Sequence, residues 1–330
     1  MGDRRDRGSV LDASGRSRLR NELPYPIAVN YKRIGACVSD SLPKLTYVLR
    51  TAEMVARLLA IIALADMRRC FEGRRLPLEA GVRVEFRQRL AAPTFGQWMR
   101  FLREAVLAIR ESGRRPFVEE LETFCFQKGD RPTEEIRILD RLIERRNDMF
   151  HGRLNLGDRT VAAECAENIP ALEHVLWRLL FLGEYRLAFV WPIEVEKRRN
   201  TDPKYHRTTL VLAGCAEPFD AERDVSRVLC ESGEVLLLGR DRETYLTLDP
   251  FIVYSDEGFE DREDLAGRKV TVTTGIHDVF LYDGERAGRL RYVACNRGGV
   301  LSSDRSAAGE YLEKGLTEFV AMFEDGKAPD

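Results

Sequence analysis

The sequence predicts an α+β chain: an N-terminal all-α helical bundle, followed by a β-rich antiparallel domain that ends in a C-terminal helix. Up to about residue 185, apolar residues recur at helical spacing; beyond it, short β-branched and aromatic runs alternate with turn signals. Composition agrees, since 44% of the 330 residues are apolar and 9% are aromatic, which fills a real core and excludes a wholly disordered chain. The length allows two domains. The change of pattern divides the chain into a flexible N-terminal arm (1–24), a helical domain (25–184) and a β-rich domain (185–330) read as a sensing or docking unit.

The first long helix is expected from Asp40 or Ser41, with Pro43 in its first turn and Gly73 ending it. Leu45, Val48, Met54, Val55, Leu58, Leu59, Ile62 and Ala65 give it a wide apolar face. Glu53 and Arg57 stand four apart on it, placed to pair with each other or to join an interior polar network. A second helix is expected over Thr94–Ser112 and a shorter one over Pro116–Phe126. The next starts near Thr133, where two acidic residues favour a helix N-terminus. A fifth covers Thr160–Leu182 and contains Pro170. Strands are expected at Tyr185–Val195, Thr208–Leu212, Glu234–Leu238, Tyr245–Tyr254, Lys269–Thr273, Val279–Tyr282 and Leu290–Cys295. Turns are expected at Asp283-Gly284 and Gly298-Gly299, a solvated acidic loop at Asp256–Glu263, and a final helix over Ser306–Phe323.

A formal net charge of −2 argues against a protein that coats nucleic acid by bulk positive charge. It leaves room for a local basic site, and 44 of the 52 basic residues are Arg, whose planar fork suits phosphate. Seven widely spaced Cys without a C-x-x-C pair disfavour both a disulfide framework and a structural zinc site. The first twenty residues lack an apolar core, so a secretory leader is not expected. The longest apolar run, Met54–Ala65, is too short to span a bilayer. A cytoplasmic protein without membrane attachment, metal or cofactor is the expectation. Walker, G-x-G-x-x-G, H-E-x-x-H and G-x-S-x-G patterns do not occur in the C-terminal half of the sequence.

Four His are available for acid–base chemistry. His174 reads as packed or capping, His206 lies in a Pro-containing loop, and His277 stands in a turn where Asp278 reads as a turn residue. His151 differs. It falls at a helix end, four residues after Asn147 and five after Arg146, so Asn147 and His151 share a helix face. The negative end of a helix dipole is hospitable to a positively charged ring. An imidazole beside a guanidinium and an amide supplies what RNA backbone cleavage needs: a base for the 2′-hydroxyl, a cation for charge gathering on phosphate, and an acid for the leaving oxygen. The RNA carries its own nucleophile.

The segment Arg146-Asn147-Asp148-Met149-Phe150-His151, at the end of a long amphipathic helix, resembles the Arg-x4–6-His motif of HEPN domains, a family of all-α domains that includes many RNases. Arg145/His151 and Arg199/His206 also satisfy that loose spacing, but the second crosses Pro203 with no predicted helix beneath it. The resemblance implies a metal-independent endoribonuclease without cofactor, acting on RNA as a homodimer whose two copies share one cleft. It implies products ending in 2′,3′-cyclic phosphate and a role as an antiphage defence effector or toxin. His151 becomes the general acid/base, Arg146 the phosphate clamp and Asn147 its positioning group. Arg141 and Arg145 are placed for flanking phosphates. One subset of the family carries Tyr two residues after the His; here Arg153 stands there, which argues against that subset's toxin–antitoxin pairing. The alternative is a non-catalytic HEPN-like dimerisation or interaction module that recruits a regulatory protein partner through its β-rich domain. Arg146 then bonds an acidic residue on a neighbouring helix.

Overall fold

The computed structural model describes residues 11–324, except positions 73, 75, 152–156, 192, 218, 227–229, 256–258, 264–268, 274–276, 297 and 307. The helical half comprises α1 (Ala13–Glu22), α2 (Tyr25–Ala36), α3 (Leu42–Phe71), α4 (Ala80–Leu90), α5 (Phe95–Glu111), α6 (Glu120–Cys125), α7 (Glu134–Phe150) and α8 (Asp158–Arg178). Then follow β1 (Arg186–Val190), β2 (Glu194–Glu196), β3 (Lys204–Val211), β4 (Asp220–Ser226), β5 (Val235–Leu238), β6 (Tyr245–Thr247) and β7 (Ile252–Ser255). The chain continues through β8 (Phe259–Glu263), β9 (Lys269–Thr273), β10 (Asp278–Arg286), β11 (Arg289–Ala294) and β12 (Val300–Ser302), and α9 (Gly309–Ala321) closes it. The fold is α+β, with helices first, antiparallel strands second and a helix last.

α3 is the axis. At 30 residues it runs roughly 45 Å. Its side chains from Val55 to Leu64 are all buried, and all but Arg57 are apolar, as suits a helix at the centre of a protein. α2, α5, α7 and α8 pack around it. The helix starts are set locally. Thr94 accepts from the Gln97 amide while the Gln97 side chain accepts from the Thr94 amide, a reciprocal cap for α5. Thr133 accepts from the Ile136 amide at the start of α7.

The strands form two antiparallel sheets. The first has the order β2-β3-β1-β5-β6, with β4 also paired to β3; the second runs β7-β10-β11-β12-β8-β9. In β5 the period-two alternation separates two packed faces. Val235 and Leu237 enter the main core, while Leu236 and Leu238 join a small cluster with Ala188, Val190 and Cys230. The main core also holds Leu58 of α3, Trp98 of α5, Leu139 of α7, Tyr282 of β10 and Phe319 of α9. The boundary at residue 185 is therefore a change of secondary structure inside one continuous core. No helix among the described residues is long and apolar enough to cross a membrane.

The structure corrects three expectations. Residues 13–22, assigned to a flexible arm, form α1, because Leu19 and Leu23 lie one turn apart and both are wholly buried. Asp12 caps the helix and Arg16 bonds Glu173 of α8 at 2.9 Å. Residues 259–263, read as solvated loop, form β8, paired with β9. Asp283-Gly284 is not a turn but a β-bulge inside β10, where the pairing with β11 shifts register between Tyr282 and Gly284. The reversal comes later, at Ala287 and Gly288, both with positive φ. Gly73, expected to end α3, lies outside the described residues.

α7 and α8 are clipped by Glu135, which His174 approaches at 3.4 Å and Arg178 at 3.0 Å. His174 is thus an exposed partner in an ion pair, not a packed residue. Burial pushes the Glu135 carboxyl up, but its bonds with His174 and its own amide and the Arg178 charge outweigh that and bring it down to about 2. The hydrogen bond to Glu135 in turn raises His174. A depressed carboxyl stabilises above its ordinary value of 4.5, and a raised imidazole stabilises below its ordinary value of 6.5. The pair therefore contributes most between those two values. Glu135→Gln is expected to lower the melting temperature more at about pH 5.5 than at about pH 8.5. Equal losses at both would show that Arg178 alone supports Glu135.

Candidate active site

The candidate residues lie on the last turns of α7. Ile136, Leu139, Leu142 and Ile143 bury the inner face of that helix, so the remaining positions are delivered to its flanks and its solvent side. Asn147 and His151 are exposed on the same side. His151 is the C-cap, and its amide donates to the Asn147 carbonyl at 2.9 Å. His151 is exposed, and its imidazole has no hydrogen bond or ion pair among the described residues. Gly152 and Arg153 lie outside the described residues.

The arginines go elsewhere. Five residues of α-helix turn through roughly 500°, which leaves Arg146 about 140° around the helix from His151. Its guanidinium is drawn toward α3, where Nη2 stands 3.6 Å from Glu53 Oε2. Arg145 reaches α8, with Nε 3.5 Å from Glu164 Oε2. Arg141 is exposed and forms no ion pair among the described residues. The structure thus joins Asn147 and His151 on one face, leaves Arg141 exposed, and commits Arg145 and Arg146 to carboxylates on flanking helices.

Glu53 is the hinge of a longer network that the sequence half revealed. Its other oxygen accepts from Arg57 Nη2 at 3.2 Å, the one-turn pair expected on that helix. Arg57 is 4% exposed. Nη2 also donates to Asp283 Oδ1 at 3.0 Å and Nη1 to the Tyr282 carbonyl at 3.3 Å, while the guanidinium lies over the Trp98 ring. Asp283 Oδ2 then meets Arg291 Nε of β11 at 3.3 Å. A chain of alternating charges runs from Arg146 on α7, through Glu53 and Arg57 on α3, to Asp283 and Arg291 in the second sheet. Low dielectric and multiple partners make such a chain stiff. Asp283 enters it because the bulge in β10 re-aims its side chain.

The other histidines are taken up structurally. His206 is on β3, half-buried, with Nε2 3.1 Å from Glu196 Oε2. His277 is exposed and stacks on Tyr254, the ring planes 14° apart. Asp278, read as a turn residue, is instead buried at the start of β10 and accepts from the Asn296 amide at 3.0 Å. Among the described residues, no group of three or more His, Cys, Asp or Glu is arranged to hold a metal ion, and the seven cysteines are free thiols. No protein-family model, curated protein or solved structure matches the chain.

Proposed function

We propose that the chain is a metal-independent endoribonuclease of HEPN type, working in the cytoplasm as a homodimer in antiphage defence or as a toxin. The observation that supports this is His151: an exposed imidazole without a partner among the described residues, on the same side of α7 as Asn147 and close in sequence to Arg141, Arg145 and Arg146. In this reading one copy's His151 removes the 2′-hydroxyl proton of RNA. The 2′-oxygen attacks phosphorus and the bond to the 5′-oxygen breaks. The second copy's His151 protonates that leaving oxygen, so the products are a 2′,3′-cyclic phosphate and a 5′-hydroxyl. Arg146 neutralises the charge on the phosphate, Asn147 holds it, and Arg141 and Arg145 meet flanking phosphates. Arg146 must exchange Glu53 for phosphate to do so, and the exchange is between two anions of similar fit.

The tie from Arg146 to Glu53 is also the observation that favours a second reading, a non-catalytic HEPN-like module that recruits a protein partner through its β-rich half. The two readings part in one assay. Purified protein is incubated with RNA in EDTA, beside Arg146→Ala and His151→Ala. Cleavage is expected from the wild type alone, with cyclic phosphate ends and a bell-shaped pH profile, because one imidazole acts as base and the other as acid. RNA left intact by the folded dimer, or cut equally by all three proteins, overturns the enzyme reading in favour of the module.

A further inference from the structure

A cavity of about 580 Å³ lies between the C-terminal turns of α3, the β5–β6 region and α9. Its size falls in the roughly 300–1,000 Å³ range of small-molecule sites. Two carboxyls, Glu234 and Asp249, are buried in its lining, 7% and 9% exposed. Among the described residues, the hydrogen bond that reaches the Asp249 carboxyl is a long one, 3.4 Å from the Val235 amide to Oδ1. Glu234 Oε1 accepts from the Tyr311 hydroxyl at 2.9 Å.

A buried carboxyl held by one long hydrogen bond beside a cavity keeps acceptor capacity for a donor that enters it. The charges around it specify what kind. Five carboxyl groups line the cavity against three cations. Those cations are already matched: Arg69 with Asp66 at 2.6 Å, and Arg68 and Lys314 with Glu318 at 3.5 and 3.8 Å. The surplus acid sits at Asp249, Glu234, Glu72 and Glu231, spread over several walls. No three of the described acids, His or Cys are grouped for a metal ion. An extended cation with several donors meets that distribution, and Tyr245 and Tyr311 stand in the same lining.

We propose that this cavity binds a small organic polyamine, whose ammonium groups are received by Asp249 and Glu234. The site stands apart from the RNA reading, since its α3 residues lie 12 to 16 positions beyond Glu53, roughly 18–24 Å along the helix. Binding carries a proton signature. Burial, then the charge of Glu234, pushes the empty site's Asp249 carboxyl well above its ordinary range, and burial likewise raises Glu234 against the Tyr311 bond. The charge of Glu231 adds to both shifts; the charge of Arg68 of α3 opposes both, as the Glu231 backbone bond does at Glu234. Tyr245 from β6 and Lys314 and Glu318 from α9 complete the facing groups. An arriving ammonium favours the ionised carboxylates, so protons leave as the ligand enters.

The full chain is titrated calorimetrically with spermidine near neutral pH, in two buffers of different protonation enthalpy. Saturable binding with net proton release is expected. Asp249→Asn and Glu234→Gln, each checked for folding by circular dichroism and each sufficient alone, should weaken it about thirtyfold or more. Guanosine monophosphate, an anion of comparable size, should not compete. Absence of saturable spermidine binding, affinity unchanged in the folded variants, proton uptake, or displacement by the nucleotide overturns the proposal.

Discussion

Arg57→Ala is expected to cost about 3–5 kcal/mol of folding stability, measured as a lower denaturant midpoint with an unchanged slope. The figure follows from what stays behind. Arg57 is buried against Trp98 and satisfies Glu53, Asp283 and the Tyr282 carbonyl at once. Truncation leaves a cavity and two half-buried carboxylates with one cation each, Arg146 for Glu53 and Arg291 for Asp283. Most of the loss should therefore come from stranded charge. A second variant separates that from lost attraction: Glu53→Gln and Asp283→Asn together with Arg57→Met remove the charges as well as the cation. Apolar replacement of a whole buried ionic group is often close to neutral, so the triple variant should recover most of the stability. If it is no better than Arg57→Ala, the network contributes net attraction. A single-variant loss below about 1 kcal/mol would place the network among weak surface pairs.

The helices were legible where their signals are local. Thr94 with Gln97, Thr133 with two acidic residues after it, and Pro43 near the start of α3 each act within one turn, so the sequence alone places those ends. α1 was not legible. Its sequence is mostly charged and small, and its long-range support, burial of Leu19 and the bond from Arg16 to Glu173, 157 residues away, does not show in the sequence pattern. Residues 220–226 are absent from the expected strands and 256–263 read as a loop, since both stretches are rich in charged residues; among the described residues β4 pairs with β3 alone, at the margin of its sheet, where charge is tolerated and discourages further strand addition. The same division applies to the site. Glu53 and Arg57 share a helix one turn apart, and their pairing was readable. The reach of Arg146 to Glu53 spans 93 positions, and that of Arg57 to Asp283 spans 226, so both need the packed core to bring them together. The cavity carboxyls were hidden for the same reason, since Glu234, Asp249 and Tyr311 arrive from three separate segments.

Gly284→Val should cost about 2–5 kcal/mol, from two effects that a control can separate. Gly284 has φ +122°, a conformation that a β-branched residue adopts only under strain. It also lies against the chain that links α4 to α5. A Cβ there would meet the Ala91 carbonyl oxygen at 2.7 Å and Pro93 Cδ at 3.2 Å. The first of these is backbone, held in place by the Glu285 amide, which donates to it at 2.6 Å. Gly288 is the control, with φ +73° and nothing within 4 Å of a built Cβ. Gly288→Val meets only the backbone strain, about 1–2 kcal/mol. The difference between the two variants isolates the close approach of the β10 bulge to the α4–α5 connection. Because that bulge is what aims Asp283 at Arg57 and Arg291, Gly284→Val should also make Arg57→Ala less damaging in the same background, a coupling visible in a double-mutant cycle. Equal losses at the two glycines, or strict additivity with Arg57→Ala, would mean that the bulge does not hold the charge network in register.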